Sequence, residues 1–220
     1  WIGPSGCTLV EASFVPPPVS EIRRLLDDFE HYIHESGSYP PLIRLAILHY
    51  QFEAIHPFAD GNGRIGRLLL SLLLVHWNLL PMPLLYLSAF FEKRRREYYD
   101  LLLGVSEQGE WRPWIMFFLT GVAEQSCDAI KRAKRLQNLQ EEWRNRLQKA
   151  RMTGLALGIA DRLFERPSVT ANDVVAGFRV SHQTAMKALR RLVQLKILFE
   201  ISGRQRNQLF LAKKIIRIVE

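Results

Sequence analysis

The sequence predicts a mainly α protein, with a helical first domain entered through a β-hairpin and a small α+β domain at the C-terminal end. Three observations carry this. Apolar residues recur at helical spacing through most of the 220 residues, extended segments bounded by Pro and Gly lie near the two ends, and charge is divided unevenly. Residues 1–122 hold 10 basic and 13 acidic side chains, residues 123–150 hold 7 and 4, and residues 151–220 hold 13 and 5. A nearly neutral part joined to a basic one argues for two modules with different partners. The expected division is 1–122, a connecting helix over 123–151, and 152–220. A basic excess that only keeps the second module soluble is the competing reading.

With 48% hydrophobic residues the chain can bury a substantial core. Cys7 and Cys127 match no metal or redox spacing, so a reducing, cytoplasmic setting is expected. The long apolar stretch Leu68 to Leu85 is interrupted by Ser71, His76, Asn78, Pro81 and Pro83, and reads as a core helix and a turn, not a membrane span. The first residue is Trp1, not Met, which reads as a fragment or processed form.

Each element has a local cause. Thr8-Leu9-Val10 and Ala12 to Val15, stopped by Pro16-Pro17-Pro18, predict the hairpin. Ser20 is the expected cap of a helix striped by Ile22, Leu25, Leu26, Phe29 and Ile33. A second helix carries Ile43, Ala46, Ile47, Tyr50 and Phe52 to about Ile55, and a third runs from Arg64 to about Leu79. Tyr98 to Leu103 belong to a later helix that ends in a loop from Gly104 to Glu110. Another helix follows through Trp114 and Phe118, and Leu136, Leu139, Trp143 and Leu147 stripe a long connecting one.

The chemistry lies in His56-Pro-Phe-Ala-Asp-Gly-Asn-Gly-Arg-Ile-Gly-Arg67. An imidazole, a carboxylate, glycine-flanked amides at a helix start and two guanidinium groups suit a reaction at phosphorus, with a triphosphate as the natural ligand. Gly61-Asn-Gly63-Arg-Ile-Gly66 also matches a dinucleotide fingerprint, but a helical pattern precedes it and Tyr86 stands where the acid should be. His31, His34, His49, His76 and His182 lack comparable company. Lys93 to Arg96 reads as a solvated helix face.

This segment resembles the Fic family signature HPFx[D/E]GNGRxxR at every fixed position, and the resemblance extends over roughly residues 1–125. It implies a Fic helical core with a β-hairpin flap and transfer of AMP from ATP to a Ser, Thr or Tyr hydroxyl of a target protein. His56 would be the general base, and Asp60 would hold Mg²⁺. Gly61, Asn62 and Gly63 would form an anion hole, while Arg64 and Arg67 bind the outer phosphates. Ile65 and Gly66 complete the implied nucleotide-binding stretch. Phe58 would anchor the loop in the core. Tyr98, Tyr99 and the Ser106 loop would border the base and ribose, with Ser13, Phe14 and Val15 covering the nucleotide and the flap edge holding the target.

Gly63 favours nucleotidyl over phosphoryl transfer, because phosphorylating members carry Lys there. The family's inhibitory [S/T]xxxE[G/N] motif is not matched: Thr120 to Gln125 and Ser88 to Lys93 fail at the last position. Inhibition is therefore expected to be supplied upstream.

Residues 152–220 read as a winged helix. Leu155, Ile159, Leu163 and Phe164 stripe one helix, Thr170 and Asp173 form a capping box for a second, and Ser181 caps a third. Gly203 to Asn207 is a basic wing. Its expected DNA contacts are Gln183, Thr184, Lys187, Arg204 and Arg206, against the reading of a protein-docking module. A DNA-binding regulator that only senses nucleotide, and a de-AMPylating enzyme, stand as rivals to transfer. Self-modification and a homodimer stay open.

Overall fold

The structure, a computed structural model, describes all residues except 1, 2, 4, 5, 7, 36, 38, 153, 205, 206 and 220. It divides into two compact units, Trp1–Ala129 and Ile130–Glu220.

In the first unit, residues Leu9–Glu11 form a 3₁₀ turn where a strand was expected. The Glu11 carboxylate accepts from the Thr8 N–H at 2.9 Å and from its hydroxyl at 3.0 Å, and this local capping bends the segment. Phe14 makes a single bridge, and no strand forms among residues 8–15, where the hairpin was expected. Helix α1 (Val19–His34) starts one residue before the expected Ser20 cap; its N-cap is Pro18, extended at ψ 150°, with no side-chain cap bond. Its stripe centres on buried Phe29, with Ile22, Leu25, Leu26 and Ile33 packed alongside.

Helix α2 (Pro41–Ile55) begins with Pro at its first position, where the missing N–H has no intrahelical acceptor to lose. Helix α3 (Asn62–His76) packs against it. Helices α4 (Leu87–Lys93) and α5 (Arg95–Gln108) follow, and then α6 (Trp111–Lys149). Helix α5 continues through Gly104 to Gln108, so the expected loop shrinks to a turn at Gly109, which takes φ 68°. The core of this unit is aromatic, with Phe90, Phe91, Trp114 and Phe118 fully enclosed and the Trp114 indole N–H donating to the Ala46 carbonyl at 2.9 Å.

In the second unit, the last part of α6 contributes Leu139, Trp143 and Leu147 to a separate core. Around them stand α7 (Gly154–Arg162), β1 (Ser168–Thr170), α8 (Ala171–Phe178), α9 (His182–Gln194), β2 (Phe199–Glu200), β3 (Leu209–Leu211) and α10 (Lys213–Val219). The three strands form an antiparallel sheet in the order β1-β3-β2, with Val169 opposite Phe210 and Phe199 opposite Leu211. Strand β1 and helix α10 were not expected; three residues are too few to show a period of two.

Both expected caps form. The Thr170 side chain accepts from the Asp173 N–H while Asp173 accepts from the Thr170 N–H at 2.7 Å, and the Ser181 hydroxyl accepts from the Thr184 N–H at 3.2 Å. Removing the box in Thr170→Ala should cost about 1 kcal/mol, seen as a lower urea midpoint at unchanged slope.

Candidate active site

Helix α2 ends at His56, whose left-handed backbone (φ 50°, ψ 56°) turns the chain out of the helix while its N–H still bonds the Phe52 carbonyl at 3.1 Å. Its Nδ1 lies 3.3 Å from the Glu53 carbonyl. A carbonyl can only accept, so Nδ1 carries the proton and Nε2 keeps the lone pair. Burial lowers the pKa of His56 below the ordinary histidine value, so the imidazole is neutral at pH 7. A neutral ring with Nε2 unprotonated is the form that takes a proton.

The loop that follows is braced by Asn62, which is only 2% exposed. Its Oδ1 accepts from the Phe58 N–H at 2.9 Å, and its Nδ2 donates to the Phe58 carbonyl at 2.6 Å. The Asn62 side chain is therefore committed to bracing the loop. Phe58, expected as a core anchor, is 46% exposed, so the polar staple fixes the loop in its place. Gly61 takes φ 86°, a conformation that costs a residue with a Cβ about 1–2 kcal/mol, and its carbonyl starts α3 by accepting from Ile65 at 3.0 Å. The first amides of α3, at Asn62, Gly63 and Arg64, have no intrahelical acceptor and offer the positive end of the helix.

A cavity of about 530 Å³ opens beside this turn. It brings together Ser13, Phe14, His56, Gly63, Arg67, Tyr98, Tyr99 and Ser106 of the expected residues. Asp60, Gly61, Asn62, Arg64, Ile65 and Gly66 do not line it, and Val15 lines a neighbouring groove. Each departure has a reason. Asp60 and Arg64 are exposed and paired with each other at 3.1 Å, and Asp60 also accepts from the Gly61 N–H at 2.7 Å. Such exposed pairs exchange partners at little cost. Ile65 points to solvent, and Gly66 is buried where a Cβ would lie 2.6 Å from Glu53 Oε1 and 3.0 Å from the Phe52 ring. Ser106 sits on α5, not in a loop, with its hydroxyl donating to the Leu102 carbonyl and 3.0 Å from the Tyr50 hydroxyl.

Tyr98 is 3% exposed and belongs to the aromatic core while also lining the cavity, whereas Tyr99 is half exposed. Tyr50, Glu53, Arg95 and Asp100 also line the cavity and were not expected. The spacing of Arg95 and Tyr99, four residues apart with the guanidinium 5.7 Å from the ring, was a readable signal. It shows that the Lys93 to Arg96 run is not wholly a solvated face.

Glu53 has the most unusual setting. Burial pushes its carboxyl up to about 7, against the opposing pull of the Arg67 guanidinium and a hydrogen bond with Tyr98. Its Oε1 is buried without a hydrogen-bond partner. Tyr98 in turn meets His49 Nε2 at 2.9 Å, and His49, enclosed by Phe91, Tyr98 and Trp114, is held down to about 3 by burial and by Arg67.

The two groups bracket the pH range of greatest stability. The depressed His49 contributes stability that is present above the ordinary histidine pKa and lost as pH falls through about 3. The raised Glu53 contributes stability present below the ordinary carboxyl pKa and lost as pH rises through about 7. Glu53→Gln should therefore match the wild type near pH 4.5 and exceed it by roughly 3 kcal/mol above pH 8, measured by urea unfolding at both pH values.

The near-matches to the inhibitory motif do not reach Arg67. Glu124 receives Arg94 at 2.8 Å, and Glu92 lies 3.8 Å from Arg95. Among the described residues, no group of three or more His, Cys, Asp or Glu side chains is placed to hold a metal. None of their helices is long and apolar enough to cross a membrane.

A second groove of about 720 Å³ lies next to the cavity, lined by Val15, Pro16 and Pro17, by α1, and by Pro57, Phe58 and Ala59. Among the described residues, His56 is the one side chain that lines both spaces.

Residues 8–74, within the first unit, match the family model described as the Fic/DOC family. The protein adenylyltransferase Fic of Drosophila grimshawi is 34% identical over 105 residues, which is 47% of this chain and 20% of that protein. The protein of the same name from Aedes aegypti is 33% identical over the same shares. The chain thus spans about a fifth of the length of these relatives. A Fic family protein from Desulfovibrio desulfuricans shares the fold at a TM-score of 0.51 and 23% identity, over 90% of this chain and 56% of that one.

Proposed function

We propose that this protein transfers AMP from ATP to a hydroxyl group of a target protein. The observation that carries the reading is His56 itself, a neutral imidazole that lines two spaces, one bounded by Arg67 and Gly63 and the other by Val15, Pro16, Pro17 and helix α1. ATP would occupy the 530 Å³ cavity, a volume in the range of small-molecule sites. Arg67 would bind its phosphates, joined by Arg64 once it leaves Asp60, and the free amides of Gly63 and its neighbours would receive phosphate oxygens. Tyr99, Ser106, Ser13 and Phe14 would border the nucleoside.

The target hydroxyl would approach from the second groove, where Val15 lies. As its oxygen attacks the α-phosphorus, its proton passes to His56 Nε2 and pyrophosphate departs. The Nδ1–H bond to the Glu53 carbonyl orients the ring and favours the imidazolium that forms. Asp60, a single exposed carboxylate, fits Mg²⁺, which takes few protein oxygens and draws most of its ligands from phosphates and water. When bound, Mg²⁺ would neutralise phosphate charge.

The relatives named protein adenylyltransferase support this reading, as does Gly63, where a Cβ would stand 2.9 Å from the Arg67 guanidinium. The proposal includes a catalytic domain over 1–122, a connecting helix over 123–151 and a winged helix over 152–220, the last supported by the helix and strand order from α7 to β3. A cytoplasmic setting goes with it.

The test is incubation with Mg²⁺ and ATP labelled at either the α- or the γ-phosphate, alone and with cell extract. Protein-bound label from α-ATP, with none from γ-ATP, is the expected result. Label from γ-ATP alone would replace nucleotidyl with phosphoryl transfer, and no label from either would leave nucleotide sensing as the better reading.

A further inference from the structure

A second site lies in the second unit, on the exposed face of α9. That helix buries Ala185, Ala188, Leu189 and Leu192, and its opposite stripe presents Gln183, Lys187, Arg190 and Gln194 at i, i+4, i+7 and i+11. The stripe is the floor of a groove of about 1030 Å³, walled by Asn172 at the start of α8 and by Asn207 and Gln208 ahead of β3. Arg191 and His182 add to its rim.

Among the described residues, no carboxylate lines this groove. Three acids of the unit are engaged elsewhere: Asp161 by Arg144, Glu142 by Arg146 and Lys214, and Asp173 by Thr170. Glu200 accepts from the Ser202 and Gly203 N–H groups and braces the turn between β2 and β3. Ile130–Glu220 carries 20 basic and 7 acidic side chains, a net charge of +13. Several cations that share one groove without a counter-charge repel one another, and a polyanion relieves that repulsion. Amides among the cations supply donors and acceptors at once, which suits base edges.

We propose that this groove binds double-stranded DNA, with α9 in the major groove. An α-helix with its side chains is about 10–12 Å across and the major groove about 12 Å wide, so the two match. The stripe from Gln183 to Gln194 is roughly 16 Å long, about five base-pair steps. Lys187, Arg190 and Arg191 neutralise phosphates or meet guanine edges, and Gln183 at the start of the helix is placed to read bases.

This refines the expected contact set. Thr184 is tied to the Ser181 cap, Arg204 is exposed but outside the groove, and Arg206 lies outside the described residues. Asn172, Arg190, Arg191, Gln194, Asn207 and Gln208 join Gln183 and Lys187 in the groove lining. The inference rests on the winged-helix reading of the second unit and not on adenylyl transfer.

The test uses the full chain and a fluorescent duplex of roughly 20 base pairs, with anisotropy measured at about 50 and about 200 mM NaCl. Three phosphate contacts should weaken binding about 40-fold over that fourfold rise in salt. Lys187→Ala with Arg190→Ala should lower affinity at least tenfold and reduce the log–log salt slope by about 2, while Arg96→Ala in the first unit changes neither. Circular dichroism of the variants reports the fold, and labelling with α-ATP in the same samples separates this outcome from failure of the transferase reading. Undetectable binding, binding equal in the double variant, or a preference for single-stranded RNA would each overturn the assignment.

Discussion

His56→Ala is expected to lower AMP transfer by ~10²–10⁴-fold, the usual share of a positioned general base, with the fold intact. The side chain is half-buried and its recorded hydrogen bond is the 3.3 Å contact to the Glu53 carbonyl, so removing the ring costs the helix end little. Phosphate binding rests on Arg67 and on the amides of α3, which the substitution does not touch. The loss should therefore fall on kcat, with KM for ATP nearly unchanged.

The pH profile gives a second signature. A base fails as pH falls through its pKa, and burial has lowered that of His56, so wild-type activity should persist below pH 6.5 before declining. In the alanine variant that acidic limb disappears. Transfer that proceeds at the wild-type rate without the imidazole would show that the proton leaves by another route.

Asn62→Ala should lower stability by about 2 kcal/mol and transfer by tenfold or more, although this residue's side chain touches no expected ligand. The variant strips both the N–H and the carbonyl of Phe58 of their partners, and water can replace them only in part. The loop that carries Asp60 and feeds the first turn of α3 then loses its staple. Asn62→Asp discriminates further. It keeps an acceptor for the Phe58 N–H but places a carboxylate against the Phe58 carbonyl, and should be no better than alanine. Urea unfolding and initial rates measured together check this. A raised KM for ATP with no loss of stability would instead make Asn62 a direct ligand group.

These outcomes separate what was legible from what was not. The turn from His56 to Arg67 could be read as one segment because its groups are neighbours in sequence, and a helix that starts at Asn62 puts the amides of Asn62, Gly63 and Arg64 at one helix end. The two caps in the second unit were legible for the same reason: Thr170 with Asp173 and Ser181 with Thr184 act over three residues. The bracing role of the Asn62 side chain was missed because its partner is main chain, which no residue pattern marks. Glu53 was missed because its meaning comes from Arg67 on α3 and Tyr98 on α5, brought beside it by packing. The stretch from Thr8 to Glu11 was misread because these two residues cap a turn inside a segment of otherwise strand-forming composition. Short β1 and terminal α10 carry too few residues for a period to show.

The most direct measurement is a crystal structure with Mg²⁺ and an ATP analogue that cannot be cleaved between its α- and β-phosphates. Its phosphates should rest on Arg67 and the Gly63 amide, with His56 Nε2 turned toward the α-phosphorus and the groove beyond it open. Phosphates bound away from Arg67, or an imidazole facing the base instead of the phosphorus, would contradict the assignment of this site.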